Sequence, residues 1–167
     1  MKNKYFIDTD TASDDAVALL MALEWEDVEV LGISIVSGNM SVEQGSINAR
    51  YTVEICKKDV PVYVGADTPL VKKREHADWF HGPDGMGNMN YPAPKLQETD
   101  EDFIEVLNNH IMENPDEITL VTLGPLTNIA NFIKKYPESF LKLKNIVIMG
   151  GASNTVGNVT PAAEYNI

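Results

Sequence analysis

The sequence lacks the features that mark several large classes of protein. Cys56 is its only cysteine, which excludes an intrachain disulfide and offers no cysteine cluster for zinc. Lysine and arginine number 13 against 25 aspartates and glutamates, and the net charge of −12 argues against a nucleic-acid binder. No apolar run approaches the ~20 residues that a membrane-spanning helix needs. Acidic residues precede any long apolar stretch at the N-terminus, so we expect no signal peptide and a cytoplasmic protein.

The remaining composition is that of an ordinary globular protein. With 167 residues, of which 44% are apolar and 23% charged, the chain fits a single domain over residues 1–167 with a sizeable core. Cys56 lies in a helix-like segment, and we interpret it as a small buried apolar residue. Most of the excess acid is expected on the solvated surface, apart from one cluster near the N-terminus.

Strand-like and helix-like segments alternate along the chain. The predicted strands are 4–8, 28–36, 60–65, 118–124 and 145–151, and the predicted helices are 14–25, 41–58, 100–112 and 126–136. Helix 41–58 starts with a capping-box pattern formed by Ser41 and Gln44. The apolar side of helix 14–25 is predicted to consist of Val17, Leu20, Met21 and Leu23. The alternation predicts an α/β fold with a mostly parallel sheet flanked by helices.

Residues 66–99 interrupt this pattern. They are rich in glycine, proline and charge, without a clear period. A segment of this length without regular structure is uncommon inside a compact domain and is often functional.

Acids and amides collect where the predicted strands end. The residues in question are Asp8, Asp10, Asp14 and Asp15; Ser37, Gly38 and Asn39; Leu123, Gly124 and Pro125; and Met149, Gly150, Gly151, Asn158, Glu164 and Asn166. Ligands of α/β proteins bind beyond the carboxyl ends of the strands. None of these residues is a lysine or an arginine, so a phosphate site is not supported. Carboxylate and carbonyl oxygens suit a hard divalent cation, and amides with a glutamate suit the hydroxyls of a sugar.

Each residue has a simpler interpretation when it is taken alone. Ser13 or Asp14 could cap the following helix, and Gly150 with Gly151 could form only a tight turn. Met149 alone would be a core residue, and Asn39 alone a loop residue. The functional interpretation depends on all of them reaching one edge of one sheet.

Six segments resemble, in order, motifs of the inosine-uridine preferring nucleoside hydrolases. They are DTDTASDDA (8–16), SGN (37–39), HGPDGMGN (81–88), LGPLTNIA (123–130), IMGG (148–151) and GNVTPAAEYNI (157–167). The resemblance spans the whole chain. It implies a Rossmann-like nucleoside hydrolase fold, hydrolysis of the N-glycosidic bond of ribonucleosides in purine or pyrimidine salvage, and a tightly bound Ca²⁺.

The resemblance also implies a role for each matching residue. Asp10 and Asp15 would bind calcium together with the backbone carbonyl of Leu123, and Asp10 would be the general base for water. Asp8 would support this cluster from behind. The residues that would bind the ribose are Asp14, Asn39, Met149, Asn158, Glu164 and Asn166. His81 would lie near the base.

The chain departs from the family pattern at two places. Thr11-Ala12 stands where many members have Pro-Gly, but the spacing to Asp14 and Asp15 is kept, so we expect the same loop geometry. The sequence ends at Ile167, at about half the length of family members. From the resemblance we therefore expect these 167 residues to lack the later aspartate ligand of calcium and the histidine that protonates the leaving base in many members.

Three interpretations follow, of which we favour the first. The chain is a truncated product of a hydrolase gene, half of an enzyme that another polypeptide completes, or a fragment that binds calcium or ribosides without catalysis. The apolar surface that a missing half would cover predicts a homo-oligomer or binding of a completing C-terminal half. A non-catalytic binding module is the alternative class of function. A metal-dependent phosphatase is disfavoured because the strand ends offer no lysine or arginine to bind the phosphate.

Overall fold

The computed structural model describes residues 2–167, apart from the side chain of Asp78. Strands and helices alternate as the sequence predicts. The elements are β1 (Asn3–Thr9), α1 (Ser13–Glu24), β2 (Val28–Ile35), α2 (Val42–Ile55), β3 (Val62–Val64), α3 (Asp78–His81), α4 (Phe103–Glu113), β4 (Ile118–Thr122), α5 (Thr127–Lys135), α6 (Pro137–Phe140) and β5 (Asn145–Ile148).

The five strands form one parallel sheet in the order β3-β2-β1-β4-β5. The chain builds the sheet outward from β1 to β3 and then returns to the other side of β1 with β4 and β5. The strand order therefore reverses beside β1, whose last residues pair with β2 on one side and β4 on the other. Ligands of such folds bind at this reversal, beyond the carboxyl ends of the strands. The predicted α/β class is confirmed.

Consecutive residues of β1 serve two separate core clusters, because side chains of a strand alternate between the faces of the sheet. Ile7 belongs to a cluster with Leu19 of α1 and Val53 of α2. Phe6 belongs to the other cluster, together with Leu107 of α4 and Phe132 of α5. Helices thus cover both faces of β1, and its carboxyl end is fixed from both sides.

The predicted apolar side of α1 is wrong in part. Val17 and Met21 are 54% and 58% exposed, whereas Ala16 and Leu19 are buried with Leu23 against the sheet. The buried face contains Asp15 and the small residue Ala16, so its hydrophobic pattern is weak. The sequence pattern therefore favoured the neighbouring face with Val17 and Met21. The simpler interpretation of Ser13 or Asp14 as a helix cap does not hold, because Ala12 occupies the N-cap position without a side-chain hydrogen bond. Ser13 and Asp14 lie within the first turn instead.

Helix α2 begins as predicted, with one change. The Ser41 hydroxyl caps the helix by accepting a hydrogen bond from the Gln44 N–H at 3.3 Å. The Gln44 side chain donates to Asn48 Oδ1 at 3.0 Å and thus bonds within the helix, not back toward Ser41 as a capping box requires. Cys56 at the other end is only half-buried beside the core, which corrects the expectation of full burial.

Two features at the edges complete the fold. Helix α6, which the sequence did not predict, begins with Pro137 directly after α5. Strand β5 ends the sheet, and its apolar residues Ile146, Val147 and Ile148 are 36%, 53% and 43% exposed. An uncovered apolar edge strand is a surface on which another segment or chain can pack. None of the helices within residues 2–167 has the length and apolar character that crossing a membrane requires.

Candidate functional site

A cavity of about 240 Å³ lies where the strand ends and the C-terminal segment meet. Its wall brings together most of the residues that the sequence singled out. The lining residues are Asp14, Asp15, Asn39, Ala77, Trp79, Phe80, His81, Leu123, Met149, Asn158, Val159, Glu164, Tyr165 and Asn166. Asp8 and Asp10 are absent from this wall because both are fully buried beneath it. A larger depression beside Trp25 contains none of the predicted site residues.

Asp8 anchors the floor of the site. Its Oδ1 accepts hydrogen bonds from the Ser34 hydroxyl and, at 2.7 Å, from Asn128 Nδ2, whereas its buried Oδ2 has no partner. Burial raises the pKa of Asp8 to about 7, although both hydrogen bonds favour the ionised form, and the charge of Asp10 adds to the increase. A carboxylate at this position is costly unless positive charge lies nearby.

Asp10 and Asp15 form a buried carboxyl pair. Burial raises the pKa of both groups, and the pKa of Asp15 reaches about 9 because of its burial first and of the neighbouring charge of Asp10 second. Asp15 Oδ2 accepts a hydrogen bond from the Thr9 hydroxyl at 2.8 Å, and Asp10 Oδ2 accepts from the backbone N–H of Asn39. Asp10 Oδ1 is buried without any hydrogen-bond partner. Two negative charges in this pair are therefore unfavourable, and a bound cation would favour ionisation of both carboxyl groups.

The turn between these acids has an unusual backbone. Thr11 is fully buried and has a φ of 37°, which is rare for a β-branched residue. Its N–H donates to Thr9 Oγ1 at 2.9 Å, and its carbonyl accepts from Asn48 Nδ2 at 2.9 Å. These bonds fix the turn and direct Asp10 inward, while Asp14 and Asp15 lie in the first turn of α1.

Two glycines enclose the carboxylate of Asp10. A Cβ atom at Gly38 would lie 2.2 Å from Asp10 Oδ2, and one at Gly124 would lie 3.1 Å from Asp10 Oδ1. The strand ends of β2 and β4 can approach Asp10 this closely only because these two residues have no side chain.

The upper wall is formed by residues from separate parts of the chain. His81 of α3 places its Nδ1 3.4 Å from the Ser13 hydroxyl and 4.0 Å from an oxygen of Asp14. Asn39 follows β2, is half-buried and lines the cavity from the end of that strand. Charged and polar groups that are distant in the sequence therefore border one space.

The C-terminal segment closes the remaining side. Asn166 Nδ2 donates to the carbonyl of Leu123 at 2.8 Å, and its buried Oδ1 has no partner. Asn158 Oδ1 accepts from the N–H of Tyr165 at 3.0 Å, and Glu164 accepts from the N–H of Asn166 at 3.1 Å. Met149, 45% exposed, follows β5 into the same wall.

The donor chemistry of this site suits a hard cation. Asp10 Oδ1 is an orphaned buried oxygen, Asp15 is its neighbour, and Leu123 contributes a carbonyl to the same wall. All three are oxygen ligands, which calcium and magnesium prefer. Within residues 2–167 no group of three or more histidine, cysteine, aspartate or glutamate side chains is arranged around a metal position. The set fits part of a coordination sphere, because calcium takes about six to eight oxygens.

Several residues of the site were missed by the sequence analysis. Thr9, Ser34 and Asn128 supply the hydrogen bonds that orient Asp15 and Asp8. Each is a polar residue at a buried strand end or helix start, and only that position distinguishes it. Trp79 and Phe80 line the cavity although they are 81% and 72% exposed. Two adjacent aromatics within the irregular segment 66–99 were a usable signal in the sequence.

Comparison with known proteins gives one consistent result. The family model described as inosine-uridine preferring nucleoside hydrolase matches residues 5–167. Uridine nucleosidase 1 of Arabidopsis thaliana is 42% identical over 166 residues, which cover 98% of this chain and 49% of that protein. Among solved structures, a plant nucleoside hydrolase superposes with a TM-score of 0.93 at 36% identity, over 99% of this chain and 53% of that one. A purine-preferring ribonucleoside hydrolase from Gardnerella vaginalis gives 0.92 at 32% identity, over 98% and 53%.

The chain thus spans about half the length of the curated relatives that it matches. The aligned half contains the whole sheet described above and every residue that lines the cavity. The match runs from the first strand to the last residue, and the chain belongs to the inosine-uridine preferring nucleoside hydrolase family.

Proposed function

We propose that this chain supplies the ribose and metal side of a nucleoside hydrolase site, and that this site hydrolyses the N-glycosidic bond of ribonucleosides. The observation that supports the proposal is the convergence of Asp14, Asp15 and Asn39 with Asn158, Glu164 and Asn166 around one cavity. The names of the relatives add support, since they describe uridine nucleosidases and ribonucleoside hydrolases.

Asp10, Asp15 and the Leu123 carbonyl would hold the metal, for which we propose calcium. When bound, calcium would supply the positive charge that lets these buried carboxylates ionise and would lower the pKa of a water molecule. Asp10 would receive the proton of the attacking water, because its Oδ1 is an unpartnered acceptor. Asp8 would keep the cluster in place through Ser34 and Asn128.

The other side chains would hold the sugar and stabilise the developing charge. Cleavage of a glycosidic bond gives the ribosyl ring positive charge in an oxocarbenium-like transition state. Asp14, Glu164 and the amide oxygens of Asn39, Asn158 and Asn166 would surround that charge with negative potential. Met149 would pack on the apolar face of the ring, and His81 would lie toward the base.

Protonation of the leaving base needs a group that we do not identify among the cavity residues. We therefore propose that a partner supplies it. Strand β5 exposes apolar residues at the edge of the sheet, close in sequence to Met149. A homo-oligomer or a completing C-terminal half would cover this edge and add groups on the base side. A cytoplasmic location and a role in nucleoside salvage stay predictions from the sequence.

A second candidate function is a module that binds calcium or ribosides without turnover. The exposure of Trp79 and Phe80 on the cavity wall favours it, because a site open to solvent stabilises a transition state poorly.

Ribose release from inosine and from uridine, with added Ca²⁺ and with a chelator, separates the two functions. Hydrolysis predicts Ca²⁺-dependent release that Asp10→Asn reduces by about 10³-fold or more, because a general base and a metal ligand are lost together. Asp59→Asn is the control, since it removes an exposed acid far along the chain. Folded protein that binds ribosides and releases no ribose would support the binding module instead.

A further inference from the structure

The segment from Gly82 to Asn90 belongs to no helix or strand and has an irregular backbone. Five of its residues have positive φ: 82° at Gly82, 67° at Gly85, 70° at Gly87, 61° at Asn88 and 50° at Asn90. Residues with positive φ are interspersed with ordinary ones here, and a loop of this kind can turn several N–H groups toward a common acceptor.

Asp84 is that acceptor. Its Oδ1 accepts hydrogen bonds from the N–H groups of Met86 and Asn88, both at 2.9 Å, and its Oδ2 accepts from Asn90 at 3.0 Å. Partial burial alone would raise the pKa of Asp84, but these backbone donors outweigh it and lower the pKa. Both oxygens of one carboxylate thus organise the whole segment.

Asn48 joins this segment to the acidic turn. The side chain of Asn48 is buried in α2, and its Nδ2 donates to the carbonyls of Thr11 at 2.9 Å and Asp84 at 3.0 Å. Gly85 lies against it so closely that a Cβ there would be 2.8 Å from Met40 and 3.0 Å from Asn48. One buried amide therefore sets the distance between the turn that holds Asp10 and the segment that follows α3.

The segment in turn closes directly behind the cavity wall. The N–H of Gly87 donates to the carbonyl of His81 at 2.8 Å, which fixes the last residue of α3. His81, Phe80 and Trp79 of α3 line the cavity, and His81 Nδ1 lies 4.0 Å from Asp14. Displacing the segment would move this aromatic wall relative to Asp14.

We propose that Asp84 and Asn48 are positioning residues, which hold the α3 wall at a fixed distance from the acidic turn and so set the affinity for the nucleoside. The proposal rests on the function proposed above for this cavity. Neither side chain acts on the reacting atoms. Both determine where residues 79–81 stand when a nucleoside enters.

Kinetics and binding of Asp84 variants test the proposal. Asp84→Ala should raise KM for the nucleoside about tenfold and leave kcat within about threefold, because a displaced wall weakens ground-state and transition-state binding alike. Asp84→Asn retains one acceptor oxygen and should restore about half of the loss on a logarithmic scale. Asp59→Ala is the matched control, an exposed aspartate in a loop outside this segment. An unchanged KM, or a loss confined to kcat, would overturn the proposal.

Two further measurements separate this proposal from the proposed hydrolysis. If the wild-type chain releases no ribose, quenching of Trp79 fluorescence by inosine or uridine in a Trp25→Phe background gives the affinity directly, since the chain has only these 2 tryptophans. If no nucleoside binds either, hydrogen exchange at the amides of α3 decides, because faster exchange in Asp84→Ala supports the positioning role. If the α3 amides of Asp84→Ala exchange at the same rate as those of Asp59→Ala, the positioning role is contradicted, independently of whether the chain hydrolyses nucleosides.

Discussion

Substitution of Gly38 by alanine tests the architecture of the buried carboxyl pair more directly than removal of an acid does. The new Cβ would lie 2.2 Å from Asp10 Oδ2 and 2.7 Å from Pro125 Cδ, where ordinary contact begins at 3.4 Å. The carboxylate would have to move by 1.2 Å, or the ends of β2 and β4 would have to separate by a similar distance. Neither movement is easy, because Asp10 is fully buried and Asn39 donates to the same oxygen.

The expected result has two parts. Overpacking of this kind costs about 1–3 kcal/mol in the free energy of unfolding, measured by thermal or urea denaturation. A misplacement of ~1 Å at a catalytic group costs about 10²-fold in rate, and we expect Ca²⁺ affinity to fall at least about tenfold. Calorimetric titration with Ca²⁺ and ribose release from inosine measure these effects.

Gly151→Ala provides the matched control. Gly151 has a φ of 85° and nothing within 4 Å of a built Cβ, so alanine adds backbone strain without touching Asp10. Gly151→Ala should lower the free energy of unfolding by about 1–2 kcal/mol, similar to the loss expected for Gly38→Ala. A loss of Ca²⁺ affinity in Gly38→Ala alone would therefore reflect a change in the site and not lower stability. Gly38→Ala protein that binds Ca²⁺ with wild-type affinity would refute the arrangement of Asp10 described here.

The remaining predictions concern stability and association. Metal-free protein should be less stable at pH 8 than at pH 5, because the pKa of Asp8 is raised from 3.8 in the unfolded chain to about 7 in the folded one. The stabilising contribution of protonated Asp8 is complete below pH 3.8 and is lost as the pH rises through about 7. Added Ca²⁺ should weaken the pH dependence of the urea midpoint, and a metal-free midpoint that does not change with pH would contradict the prediction. Asn128→Ala should cost about 1–3 kcal/mol, because it removes a buried amide that donates to Asp8 and to the Ile35 carbonyl and accepts from the Ala66 N–H. A fall in the melting temperature no larger than that of an exposed asparagine variant would count against it. Val147→Lys on the exposed edge β5 should reduce concentration-dependent self-association in sedimentation experiments, and unchanged association would exclude this edge as the contact.

The sequence by itself determined the order of elements and the chemistry available to them. Apolar runs such as 28–36 and 118–124 are typical of strands buried on both faces, and β2 and β4 lie within them. The acids after β1 and the amides of the C-terminal motif could be assigned to one sheet edge, because parallel strands share the position of their carboxyl ends. The resemblance in six motifs identified the family, which the match over residues 5–167 confirms.

Tertiary structure decided which acids are buried and which face the cavity. Asp8, Asp10 and Asp14 are equivalent in the sequence as acids near a helix start, yet the first two are fully buried and Asp14 has a side chain that is 67% exposed. Gly38 and Gly124 pack against Asp10, and Ser34 and Asn128 contact Asp8, so the burial of both acids depends on residues that are distant in sequence. Local patterns carry no information about these contacts. The positive φ of Thr11 and the bonds of Asn48 to both loops likewise depend on neighbours that only the folded chain brings into contact.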